Sequence, residues 1–208
     1  MKKLYKAIAL LMAMVLAISS LAGCSFTNQK GKTRTIVDIT GAEIEIPVEV
    51  DEVVNLFSFG CQLMIGLGLG DYLVGISDAT FETQWLELMY PAAKDIQMYS
   101  DEVSAEALLA VNPDIVFCSD PEQAEDFRSK GITAITFMYL TVDEFKFTVN
   151  LMGEILGGDA KAKCDAYIAY LDGKIKEVSE LQNIVPEKES LHYINRANDR
   201  GFYTFGSR

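Results

Sequence analysis

The chain has 208 residues, half of them apolar, with 30 acidic against 18 basic residues and a net charge of −12. So acidic a surface repels nucleic acid and anionic lipid headgroups, which excludes both as partners. Besides Cys24, the three cysteines Cys61, Cys118 and Cys164, at irregular spacing, make neither a disulfide framework nor a CxxC metal site; they read as small apolar packing groups, with a Cys61–Cys118 bond near strand ends as the alternative.

Lys2, Lys3 and Lys6 open the chain, followed by an apolar run from Ala7 to Ile18 and the sequence Ser19-Ser20-Leu21-Ala22-Gly23-Cys24. This order of charged, apolar and small-residue regions predicts a secretory signal peptide over 1–23. The run is shorter than the roughly 20 residues needed to span a bilayer. The ending Leu-Ala-Gly-Cys resembles the lipobox of bacterial lipoproteins, which implies cleavage before Cys24, a lipid on its sulfur and an extracytoplasmic, membrane-anchored protein. Cleavage removes three lysines and no acid, leaving 15 basic against 30 acidic residues. Attachment then depends on acyl chains rather than surface charge. Residues 24–33, polar and poor in aliphatics, read as the lipidated cysteine and a flexible tether.

Thr35–Ile39 and Glu43–Ile46, flanking Thr40-Gly41, predict a β-hairpin. Alternating elements follow: strand Val53–Phe57, helix Cys61–Leu67, strand Leu73–Ile76, helix Glu82–Met89, helix Ser104–Val111, strand Ile115–Cys118, helix Pro121–Lys130 and strand Ile132–Phe137. Apolar strands alternating with helices predict an α/β fold, a parallel sheet with helices on both faces, over residues 34–141. Helices Val142–Leu156 and Asp159–Gln182, parted by Gly157-Gly158, make a helical segment over 142–182. The second helix would reach about 36 Å, long enough to cross a whole domain. A strand at Leu191–Asn195 opens a further α/β unit over 183–208, within which the sequence is expected to stop. Gly66-Leu-Gly68-Leu-Gly70-Asp71 follows a helix and precedes a strand, so it reads as a helix stop and not a dinucleotide fingerprint.

Arg34-Thr-Ile-Val-Asp38-Ile-Thr-Gly41, Val54-Asn-Leu56, Leu67-Gly-Leu-Gly70-Asp71, Ser104-Ala-Glu106 through Asn112-Pro113-Asp114, Gly131-Ile132 and Leu156-Gly157 occur in an order that resembles the substrate-binding proteins of ABC importers for iron-siderophore, haem and cobalamin. The resemblance covers about 34–182. It implies a two-lobed monomeric receptor with its ligand between lobes joined by one long helix, and an ABC permease with its ATPase as partners. The expected cargo is a small-molecule metal chelate, a siderophore-type ferric complex, with cobalamin or haem as alternatives; no resident cofactor is expected. It also implies that Glu106, in the first turn of its helix, docks on permease arginines.

Ligands of open α/β sheets bind beyond the carboxyl ends of the strands. Those loops supply Phe57, Ser58, Phe59, Trp85, Tyr99, Ser100, Ser119, Asp120 and Tyr139 as candidate cleft residues, an aromatic set without cations suited to a bulky chelate. By the resemblance, Tyr99, Ser100 and Ser119 lie where related receptors touch ligand. His192 is the one histidine, so neither a protein-ligated metal nor a histidine-assisted hydrolase is expected. The reading is a binding protein, not an enzyme.

Overall fold

The computed structural model describes residues 32–82, 86–182, 196–198 and 201–203. Packing divides the chain into two units, Met1–Cys164 and Asp165–Arg208.

The first unit opens with the antiparallel pair β1 (Thr33–Val37) and β2 (Glu43–Pro47). Its turn is organised by Asp38, whose buried carboxylate accepts from the Thr40 hydroxyl at 2.6 Å and from the Thr40 and Ala42 N–H groups at 2.9 and 3.1 Å. Such a side-chain-closed turn is what aspartate supplies where a chain must reverse. Ile44 and Ile46 point inward while Glu43 and Glu45 face solvent, the alternation of a one-sided ribbon.

Five strands then form a wholly parallel sheet in the order β5-β4-β3-β6-β7: β3 (Val53–Asn55), β4 (Leu73–Ser77), β5 (Gln97–Tyr99), β6 (Ile115–Cys118) and β7 (Ala134–Thr136). The chain runs outward from β3 to β5, then crosses back to β6 on the other side, so strand order reverses between β3 and β6. The helices are α1 (Ser58–Gly66), α2 (Leu86–Met89), α3 (Ala105–Val111), α4 (Pro121–Ser129) and α5 (Val142–Leu156). Every residue of β6 is buried, as a strand covered on both faces must be. Val116 and Cys118 pack with Leu108 of α3 and with Ala124 and Phe127 of α4. The alternate residue, Phe117, stacks on Phe137 at 4.3 Å, and Phe137 meets α1 at Gly60, where a Cβ would come within 3.1 Å of its ring. The expected architecture of a parallel sheet with helices on both faces is therefore present.

Local chemistry explains where the helices begin and end. Ser104 caps α3, Asp120 caps α4, and Thr141 with Glu144 forms a reciprocal capping box on α5. Helix α1 ends as expected at the glycine run: Gly68 adopts φ +66°, and its N–H and that of Leu69 return to Ile65 and Met64 carbonyls. That is a Schellman closure, which needs a left-handed residue and favours glycine.

Six elements differ from expectation: β1 is Thr33–Val37 rather than Thr35–Ile39, α1 begins at Ser58 rather than Cys61, and four others depart further. The first sheet strand stops at Asn55, because Phe57 already serves as the N-cap of α1. The stretch expected as one helix over 82–89 is a 3₁₀ turn at Asp78–Glu82 and a short α2. Strand β5 was not anticipated; it is a three-residue edge strand with Gln97 and Met98 exposed, and carries no apolar run. The last sheet strand is shorter than expected, Ala134–Thr136.

Helix α5 lies wholly within the first unit, with Val149, Leu151, Met152 and Ile155 buried. Helix α6 spans Gly158–Gln182, close to the long helix expected. Its first turns belong to the first unit, where Lys163 donates to the Gly68 carbonyl at 2.7 Å and Cys164 packs against Gly153. The second unit holds the remainder of α6 and an antiparallel pair, β8 (Arg196–Asn198) and β9 (Gly201–Tyr203). Residues 165–182 carry the pairs Lys174–Glu177 and Lys176–Glu180. The strand expected at Leu191–Asn195 lies outside the described residues.

Candidate functional site

The reversal of strand order between β3 and β6 opens a crevice at the carboxyl edge of the sheet, because the chain leaves these neighbouring strands in opposite directions. The loop after β3 is fixed first. Asn55, fully buried, accepts from the Phe57 N–H at 3.0 Å through its carboxamide oxygen and sits against the Met64 sulfur through its nitrogen. Its backbone carbonyl accepts from the Cys61 thiol at 3.0 Å. Gly60 makes this approach feasible, since a Cβ there would lie 2.9 Å from the Asn55 amide. Asn55 and Gly60 thus set the start of α1 and the position of Phe57, a role that the sequence reading did not assign.

From that anchor an aromatic chain runs from the start of α1 to α5. Phe57 meets Phe59 edge-on at 5.8 Å between centroids, and Tyr139 at 5.6 Å. Tyr139 meets Phe145 of α5 at 4.7 Å, also edge-on. Perpendicular contacts at these separations are the favoured geometry of aromatic quadrupoles. Phe59 stays 61% exposed, so the cluster presents a ring to solvent instead of closing into a core. Phe57 and Phe59, at the start of α1, are brought together with Tyr139 from the loop after β7. Phe145 was missed because it lies inside a helical stretch; its spacing six residues after Tyr139 was the available signal.

Ser58 opens α1 beside Phe57, half-buried. Ser119 and Asp120 follow β6 and are exposed, and Asp120 accepts from the Glu122 N–H at 2.9 Å as the cap of α4. Strand pairing continues just past the sheet here, with Leu56 N–H on the Phe117 carbonyl and Phe137 N–H on that of Cys118. The loops bearing Phe57, Ser119 and Tyr139 are consequently neighbours. Ser100 is exposed at the end of β5.

Tyr99 requires correction as a cleft-lining residue. Its ring is buried over Gly75 of β4, where a Cβ would come within 2.6 Å of it, and its hydroxyl approaches the Ala107 carbonyl at 3.4 Å. A β-edge tyrosine beside a glycine fills the vacant side-chain position, which makes it core. Trp85 and Cys24 lie outside the described residues.

Glu106 is exposed in the first turn of α3. Its own backbone N–H and the Ser104 hydroxyl, with the more distant Lys130 charge, hold its carboxyl below the usual range despite a slight opposing desolvation. It presents a fixed anion at the surface. Cys61 and Cys118 are buried and form no disulfide, and burial pushes the Cys61 thiol up to about 11 and that of Cys118 up to about 12. Among the described residues no group of three or more His, Cys, Asp or Glu side chains is placed to hold a metal ion, and no helix is long and apolar enough to cross a membrane.

No family model matches the chain. It is 26% identical over 214 residues to an uncharacterized ABC transporter substrate-binding lipoprotein of Bacillus subtilis, covering 93% of this chain and 65% of that protein. A periplasmic solute binding protein of Veillonella parvula superposes with a TM-score of 0.65 at 19% identity, over 72% of this chain and 48% of the other. The molybdate-bound periplasmic binding protein MolA of Haemophilus influenzae gives 0.61 at 20% identity, over 71% and 53%. Helicobacter pylori CeuE, in its Ni-His complex, gives 0.61 at 24% identity, over 76% and 52%. The resemblance to substrate-binding proteins read from the motifs is thus met again in sequence and in fold. The chain spans about two thirds of the curated relative and about half of these structures.

Proposed function

We propose that this chain is the ligand-capturing lobe of an extracytoplasmic receptor, anchored by lipid on Cys24, that binds a chelated iron complex of the siderophore type and delivers it to an ABC importer. The observation that carries this reading is the aromatic cluster Phe59–Phe57–Tyr139–Phe145 at the strand-order reversal of an α/β sheet shared with periplasmic binding proteins. Aromatic rings held from behind and exposed in front supply broad contact area with little conformational freedom to lose. That suits a bulky chelate whose metal is already coordinatively filled. The described residues offer no ligand cluster for a bare ion. Neither feature assembles a nucleophile with a base, so binding rather than catalysis is the reading.

The Bacillus relative is described as a lipoprotein, which supports the anchored location. Glu106 is the proposed contact with the permease, being a fixed exposed anion away from the aromatic cluster in the chain. The relatives carry cargoes as different as molybdate and nickel-histidine, so the cargo must be tested directly. NMR titration of the chain with gallium(III) analogues of ferric siderophores, beside haem, cobalamin and molybdate, is the experiment. Saturable shifts of the Phe57, Phe59 and Tyr139 ring signals with the siderophore analogues are expected. Shifts with molybdate alone, or none at those rings with any siderophore, would reject the reading.

A further inference from the structure

We infer that the face of this lobe selects its chelate by charge, accepting neutral or cationic complexes and rejecting polyanionic ones. The inference rests on the chelate-binding reading and sharpens it from ligand type to ligand charge. The described loops leaving the carboxyl edge of the sheet are 56–58, 78–80, 100–103, 119–120 and 137–141. Together they contain Asp78, Asp101, Glu102 and Asp120, and neither lysine nor arginine. The helices they enter begin with further carboxylates, Glu122 on α4 and Asp143 with Glu144 on α5. Lys146, on the second turn of α5, is the nearest base in sequence to the ring cluster. The start of α1 is the other positive feature, with no side-chain cap and no acid in its first turn. A helix N-terminus counts for roughly half a unit charge, which the carboxylates outnumber several-fold. Its N–H groups remain suited to the neutral oxygen donors of a chelate.

The rings point the same way. An aromatic face carries the negative side of its quadrupole, so Phe59, 61% exposed, attracts a cation and repels an anion wherever its face meets the ligand. Packing therefore favours any bulky chelate, while both the quadrupole and the carboxylates discriminate by sign. A tris-hydroxamate complex, neutral or monocationic, matches this face; a tris-catecholate complex, trianionic around the same metal, does not.

The test titrates the 208-residue chain by NMR with gallium(III) tris-hydroxamate and gallium(III) tris-catecholate, at low and high salt. The expected result is a preference of about tenfold or more for the hydroxamate at the Phe57, Phe59 and Tyr139 signals, shrinking as salt screens the carboxylates. Ser119→Lys, at an exposed position on the neighbouring loop, should narrow or invert that preference with the fold intact by circular dichroism. Phe59→Ala should weaken both complexes. Equal or tighter catecholate binding by the wild-type chain, or a preference unmoved by Ser119→Lys, overturns the charge inference and leaves the chelate reading standing. Absence of ring shifts with either complex overturns the chelate reading itself.

Discussion

Asp38→Asn isolates the tie between the opening hairpin and the sheet. One carboxylate oxygen closes the turn through three hydrogen bonds, and the other accepts the Thr136 N–H at 3.1 Å, 98 residues away. Thr136 lies on the edge strand β7, whose outer N–H would otherwise be buried without a partner. Asparagine keeps the shape but turns one oxygen into a donor. If it preserves the turn, its NH₂ faces the Thr136 N–H; if it flips, the turn loses its acceptor. Either way at least one charge-assisted bond is lost and a buried donor left unsatisfied, a cost of about 3 kcal/mol. At roughly 2–4 °C per kcal/mol for a unit of this size, the melting point should fall by about 6–12 °C. Desolvation raises the Asp38 carboxyl, but hydrogen bonds from the Thr40 hydroxyl and the Thr136, Thr40 and Ala42 N–H groups outweigh it, and the folded-state value is lowered. A lowered folded value means stability that is fully present above the unfolded value of about 3.9 and is lost as pH falls through the folded one. The gap between wild type and variant should thus be constant above about pH 5 and close in acid. Urea unfolding across that range measures it. A gap below about 0.5 kcal/mol at pH 7, or one that persists unchanged in acid, would refute the role given to Asp38.

Other expectations follow from single contacts. Gly75→Ala should cost about 1–3 kcal/mol, because its Cβ would meet the Tyr99 ring at 2.6 Å and the Val54 methyl at 2.9 Å; thermal unfolding reads the loss. Cys61 and Cys118, buried with thiols pushed up to about 11 and about 12, should resist iodoacetamide in the folded state at pH 8 and react once urea is added, as mass spectrometry would record. Cys24→Ala should abolish incorporation of labelled fatty acid; equal labelling of variant and wild type would reject the lipobox assignment. Glu106→Lys should stop transport in cells while leaving the ring-signal shifts with chelate unchanged, and normal uptake would reduce Glu106 to a helix-start residue.

The elements most legible in the sequence were those fixed by local chemistry. Ile115–Cys118 and Val142–Leu156 were read to the residue, because an uninterrupted apolar run and a threonine–glutamate capping box carry their own boundaries. Strand β5 was illegible for the opposite reason. Gln97-Met98-Tyr99 has no apolar periodicity, and it becomes a strand through pairing with Gly75–Ser77 of β4. Tyr99 was misplaced with it: a tyrosine read as part of a loop looks cleft-lining until the strand and the glycine beneath it are known.

The motifs that carried the family resemblance turn out to be largely structural in their observed contacts. Arg34 donates to the last carbonyls of α5, those of Glu154 and Ile155, at 2.8 Å each, so a hairpin residue caps a helix 120 positions later. Asp38 fastens the same hairpin to β7. Asp114 accepts from the Asp51 and Glu52 N–H groups at 2.8 and 3.0 Å, aligning the starts of β3 and β6. Ser104 caps α3. These ties join hairpin, sheet and helix in this chain without involving the ring cluster. The rings at 57, 59, 139 and 145 fall outside those motifs. Their assembly depends on where β3, β7 and α5 end in space, and a linear pattern does not encode that. The ties hold the sheet while the loops remain free to change chemistry. On the proposed reading, ligand choice lies in the residues that the motifs leave unspecified, and exchange of Phe57, Phe59 and Ser119 should alter cargo without altering fold.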